Sequence, residues 1–112
     1  QNEILKQNQQ KILELFNNCS DICVFGLGKL FWENFFSQRW NEVLGQTCYC
    51  DNSEELWGRT IDGIKCISPV ELKELKDPLI VTHMSDDHAV REQMEALGIQ
   101  KVVNIKDIYG MV

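Results

Sequence analysis

The sequence predicts an α/β domain built on a mainly parallel sheet. Short apolar runs of strand length alternate with helical patterns from Ile22 onward. The first run passes directly into a glycine turn and then a helix, and a later helix opens on a strong start signal. At 112 residues the chain has room for one domain with a core that needs no disulfide or metal staple.

Asn2 to Phe16 places Ile4, Leu5, Ile12, Leu13, Leu15 and Phe16 on one helical stripe, interrupted by the polar run Gln7 to Lys11. Residues 1–19 therefore read as an N-terminal helix or linker, and 20–112 as the domain proper. Ile22-Cys23-Val24-Phe25 is apolar without alternation, as in a strand buried on both faces. Gly26-Leu27-Gly28 ends it, and Lys29 to Trp40 carries Leu30, Phe31, Phe35 and Trp40 at helical spacing. Val43 to Cys50 reads as the second strand, and the turn-like Glu54 to Gly63 leads to a third over Ile64–Ile67. Ser68-Pro69-Val70-Glu71 combines an N-cap serine, proline at the first helical position and glutamate three residues after the cap. That helix ends near Leu75, and Leu79 to Met84 forms a fourth strand. Ser85-Asp86-Asp87 opens a helix through Leu97 that Gly98 closes. Val102 to Ile105 is the last strand and Lys106 to Val112 a tail. The expected architecture is a three-layer Rossmann-like domain of about five strands, preceded by an N-terminal helix.

Eleven Lys and Arg against seventeen Asp and Glu give a net charge of -6, with no basic cluster to displace counterions from phosphate. Nucleic acid is excluded as a partner on that ground, and the short apolar runs exclude a membrane-spanning helix. Five cysteines, an odd number without a secretion signal, fit a reducing cytoplasmic setting and buried thiols. No C-x2-C pair suits zinc. His83 and His88 flank Asp86 and Asp87, but acids at a helix start account for that arrangement without a metal.

In an open parallel sheet, ligands bind beyond the carboxyl ends of the strands. The residues expected there are Gly26, Gly28 and Lys29, then Asp51 and Asn52, and Ser85. The glycines would free backbone N–H groups for a phosphate, and Asp51 stands where an acid reaches a ribose hydroxyl. The third glycine of G-x-G-x-x-G is replaced by Phe31, which widens the helix–strand gap or points elsewhere. No G-x-S-x-G elbow, Walker loop or Tyr-x-x-x-Lys pair is present, and Cys19 and Cys66 lack a neighbouring His base in the sequence. No catalytic or metal-binding residue is therefore assigned.

Val24-Phe25-Gly26-Leu27-Gly28-Lys29, Cys50-Asp51-Asn52, Trp57-Gly58-Arg59-Thr60-Ile61-Asp62-Gly63-Ile64 and Ser68-Pro69-Val70-Glu71-Leu72 occur in that order. Over about Ile22 to Ile105 the chain thereby resembles the Rossmann-like accessory domains of bacterial surface-polysaccharide enzymes. Such domains accompany nucleotide-sugar dehydratases and epimerases, sugar acyltransferases and methyltransferases, and some glycosyltransferases. The resemblance implies a nucleotide or nucleotide-sugar ligand, NAD among the candidates, held near Gly26, Gly28, Lys29 and Asp51. It also implies other domains of a longer parent protein, of which a chain starting at Gln1 is expected to be an excised piece. Two rival readings stand beside it. One is a non-catalytic interaction or homo-oligomerisation module with a degenerate ligand site. The other is the NAD-binding part of a dehydratase or epimerase whose catalytic residues lie outside the chain.

Overall fold

In the computed structural model, which describes residues 2–109, five parallel strands run through the centre of the molecule. They are β1 (Asp21–Phe25), β2 (Cys48–Cys50), β4 (Ile64–Ile67), β5 (Pro78–Thr82) and β6 (Val102–Asn104). A sixth, β3 (Thr60–Ile61), pairs antiparallel with β4 at one edge. The order is β3-β4-β2-β1-β5-β6. The chain builds outward from β1 through β2 to β4, then returns to β5 on the other side of β1. Strand order therefore reverses between β1 and β5, which makes the ends of these two strands the topological switch point.

Both faces of the sheet are covered, so the strands are apolar on both sides. Val24, Tyr49, Leu79, Val81 and Val103 face one layer; Cys23, Phe25, Cys48, Cys50 and Ile80 face the other. The first layer holds α1 (Asn2–Asn17), through Ile12, Leu15 and Phe16, and α2 (Lys29–Phe31) with the π turn Trp32–Phe36 that continues it. The second holds α3 (Pro69–Lys73), through Leu72, and α4 (His88–Ala96), through Met94. The α3 start forms the expected capping box: the Ser68 hydroxyl accepts the Glu71 N–H at 3.2 Å, and the Glu71 carboxylate faces the Ser68 N–H at 3.4 Å. Pro78 opens β5, where its missing N–H is tolerated.

Several expected boundaries are corrected. The helix expected over Lys29 to Trp40 ends at the π turn; Arg39 adopts φ 66° and a separate 3-10 turn spans Trp40–Glu42. The strand expected from Val43 shrinks to Cys48–Cys50, because Gly45 at φ +76° reverses the chain and leaves Val43 exposed. The turn-like segment before Ile64 contains β3, so the sheet has six strands. The tail forms a 3-10 turn over Ile105–Ile108, capped by the Asn104 side chain, which accepts the Lys106 N–H at 3.1 Å. The rest of the tail, 110–112, lies outside the described residues.

The cysteines behave as small apolar residues. Cys23, Cys48, Cys50 and Cys66 are buried, Cys19 is half-buried, and all five are free thiols. Burial pushes the Cys50 thiol up to about 12 and Cys66 to about 11. Among the described residues no group of three or more His, Cys, Asp or Glu side chains is arranged to hold a metal. No helix among them is long and apolar enough to cross a membrane.

Candidate functional site

The site forms where β1, β2 and β5 end. Gly26 leaves β1 at φ +98°, a conformation side chains rarely adopt, and its N–H donates to the Cys50 carbonyl at 2.8 Å. A Cβ at Gly26 would stand 3.3 Å from His83 Nε2 and 3.5 Å from Met84 Cε. Gly26 is thus demanded by the fold itself. Gly28 is not: its φ of -80° suits any residue, and a Cβ there would meet nothing within 4 Å. The space beside it is open.

Asp51, at the end of β2, locks the turn. Its Oδ2 accepts the Leu27 N–H at 2.8 Å and its Oδ1 accepts the Ser53 N–H at 2.8 Å. Its carbonyl accepts the Trp57 indole N–H at 2.8 Å. Among the described residues no acceptor reaches the N–H of Gly28, Lys29 or Leu30, the donors that precede the first helical hydrogen bonds. The Lys29 ammonium is exposed, 3.7 Å from Glu33.

Asn52 lies on the same loop but points away from the turn. Its amide exchanges two hydrogen bonds with Gln93 of α4, at 3.0 and 2.7 Å. Ser85 is exposed in the bend between β5 and α4. The structure therefore brings Gly26, Gly28, Lys29 and Asp51 together, and sets Asn52 and Ser85 in neighbouring loops.

Phe31 resolves the question of the missing third glycine. Its ring is fully buried between α2 and the sheet, stacked on Phe35 at 5.3 Å and edge-on to Tyr49 at 5.4 Å. It fills the gap that a glycine would close.

His83, which in the sequence only flanks Asp86 and Asp87 together with His88, holds the turn from the β5 side. The ring is buried just past β5, edge-on to Phe31 at 5.9 Å, with Nε2 2.9 Å from the Gly26 carbonyl. Since a carbonyl only accepts, Nε2 carries the proton. The buried Nδ1 has no partner among the described residues. Burial pulls the His83 pKa below its ordinary 6.5, against the raising effect of the Gly26 carbonyl. The imidazole serves to hold the turn. Within the Ser85-Asp86-Asp87 start of α4, Asp87 accepts from Thr82 Oγ1 at 2.7 Å, Asn104 Nδ2 at 3.1 Å and Arg91 Nε at 3.0 Å. The capping falls to Asp86, whose Oδ1 accepts the His88 N–H at 3.1 Å.

A cleft of about 310 Å³ opens on the β3 side of the glycine turn, lined by Leu27, Trp32, Leu56, Arg59, Thr60 and Ile61. In the sequence Glu54 to Gly63 reads only as turn-like, apart from the resemblance; what makes Leu56 and Arg59 to Ile61 part of the site is their position against Leu27.

A parallel sheet with a switch point, a glycine turn at the end of β1 and an acid at the end of β2 define a Rossmann-like domain. The chain belongs to the C2185-like family, whose N-terminal domain profile matches residues 18–104. Its fold is similar to that of RSP, a Rex-family repressor, with a TM-score of 0.53 and 19% identity over 91% of this chain and 52% of that one. It is also similar to RSP in complex with β-NADH, with a TM-score of 0.50 and 21% identity over 91% and 52% of the two chains. This chain spans about half the length of those structures. No curated protein matches it at a significant level.

Proposed function

We propose that this domain binds a nucleotide at the glycine turn, positioning it for other parts of a longer protein. The observation that supports this best is the division of labour in the turn. Asp51 consumes the Leu27 N–H, yet the N–H groups of Gly28, Lys29 and Leu30 remain free beside an unobstructed surface. Such free donors suit a phosphate. RSP, whose fold is similar, has been crystallised with β-NADH, which makes NAD(H) one candidate. The sequence resemblance to accessory domains of polysaccharide enzymes makes a nucleotide-sugar another, with a sugar-modifying enzyme or glycosyltransferase as the parent that reading would imply.

The test is a thermal-shift series with NAD, NADP, S-adenosylmethionine, UDP-sugars and CMP- or dTDP-sugars on the wild type and on Gly28→Phe. A ligand at a hundredfold excess over Kd stabilises the native state by about 2.7 kcal/mol, roughly 10 °C for a domain of this size. The reading requires a shift that Gly28→Phe abolishes while the variant still folds.

A second reading, an interaction module, draws on Ile4 and Leu5, which are 63% and 58% exposed in the first turns of α1. It requires concentration-dependent association in sedimentation experiments and no ligand-induced shift.

A further inference from the structure

We infer that the site takes one nucleoside phosphate unit, such as a nucleoside mono- or diphosphate, and not a dinucleotide. This rests on the nucleotide-binding reading above and narrows it. A dinucleotide in a sheet of this kind lies across the switch point, with one half on each side of the glycine turn. Here the two sides differ.

On the β5 side the protein occupies the space with its own groups. His83 Nε2 donates to the Gly26 carbonyl at 2.9 Å, and Met84 Cε would touch a Cβ on Gly26 at 3.5 Å. The segment carrying them is fixed from two directions. Asn34 Nδ2 donates to the His83 carbonyl at 3.1 Å, and Asn104 Nδ2 donates to the Met84 carbonyl at 2.8 Å. The paired amides of Asn52 and Gln93 then tie the loop after β2 to α4, across the end of β1. Opening this side would break the His83 bond and leave a buried imidazole without any partner.

On the β3 side the cleft of about 310 Å³ is free. That volume sits at the low end of small-molecule sites, roughly 300–1,000 Å³, and suits one nucleoside, not two. Its walls suit one as well. Leu27, Leu56 and Ile61 are apolar, and Trp32, 44% exposed, offers an indole against which a base can stack. Arg59 lies at the same cleft, and among the described residues no carboxylate is within ion-pair distance of it. An unpaired guanidinium beside an apolar slot matches a phosphate attached to a base.

The experiment is calorimetric titration of the chain with AMP, ADP, UMP and UDP, and separately with NAD and NADH. The expected result is a best mononucleotide Kd within threefold of the best dinucleotide Kd. Trp32→Ala and Arg59→Ala, both at exposed positions, should each weaken binding at least tenfold with the circular dichroism spectrum unchanged. Met84→Ala should leave mononucleotide affinity within twofold. A dinucleotide that binds more than threefold tighter than every mononucleotide overturns the inference but leaves the nucleotide-binding reading standing. Unchanged affinity in both Trp32→Ala and Arg59→Ala overturns the placement in the cleft. No binding by any of the six compounds overturns the inference and the reading together.

Discussion

The Asp51 carboxylate and the Leu27 N–H, 2.8 Å apart, join the ends of β1 and β2 across 24 positions of sequence. The other carboxylate oxygen holds the Ser53 N–H at 2.8 Å, so each oxygen already has a donor. Asparagine has one carboxamide oxygen, and its NH2 would face a second N–H. We expect Asp51→Asn and Asp51→Ala to lose similar stability, about 1–3 kcal/mol each, by urea unfolding. Full stability in Asp51→Asn would show that only one of the two bonds matters.

The two glycines of the turn should respond in opposite ways. Gly26→Ala forces a side chain into φ +98° with a Cβ 3.3 Å from His83 Nε2, and should cost about 1–3 kcal/mol. Gly28→Ala has an ordinary φ and open space, and should be neutral or stabilising by up to about 1 kcal/mol. Paired thermal melts decide this.

Acid should weaken the domain over two separate pH windows. His83 has a folded pKa below 6.5, so the unfolded state binds its proton first and stability falls as pH drops below about 6.5. At Asp87 burial acts to raise the pKa, but the hydrogen bonds from Arg91, Thr82 and Asn104 prevail and bring it to about 2 from its ordinary 3.8. Its contribution is present above pH 3.8 and is lost as pH falls toward 2, on the order of 2 kcal/mol for a side chain only 14% exposed. Asp87→Asn should flatten the stability profile between pH 4 and pH 2, measured as urea midpoint against pH.

Thiol labelling reports on the core. With Cys23, Cys48, Cys50 and Cys66 buried and Cys19 half-buried, a disulfide reagent at pH 8 should modify only Cys19 within minutes in the native state. Denatured protein should yield all five.

Local signals in the sequence carried the fold well. The unbroken apolar run Cys23-Val24-Phe25 is a strand buried on both faces, and the Ser68-Pro69-Val70-Glu71 signature became the capping box it describes. Elements set by tertiary context were not legible. β2 is short because Gly45 turns the chain, although the residues around it look strand-like. β3 is two residues long and exists through pairing with Lys65 and Ile64. At the site, Gly26 and Asp51 were visible because each follows a strand. In the sequence His83 is only one of two histidines flanking a pair of acids, because its bond to Gly26 spans 57 positions. The cleft was hidden for the same reason: Leu27 and Arg59 become neighbours only when β3 folds back toward α2.

A nucleotide held by the free donors of the glycine turn would move the amide chemical shifts of the residues that carry them. The 15N-labelled chain would be titrated with AMP, UDP, NAD and UDP-glucose. Saturable shifts are expected, centred on the Gly28, Lys29 and Leu30 amides and extending to Arg59 and Thr60. Shifts confined to other residues, or none at millimolar concentrations of all four, would contradict nucleotide binding at the turn.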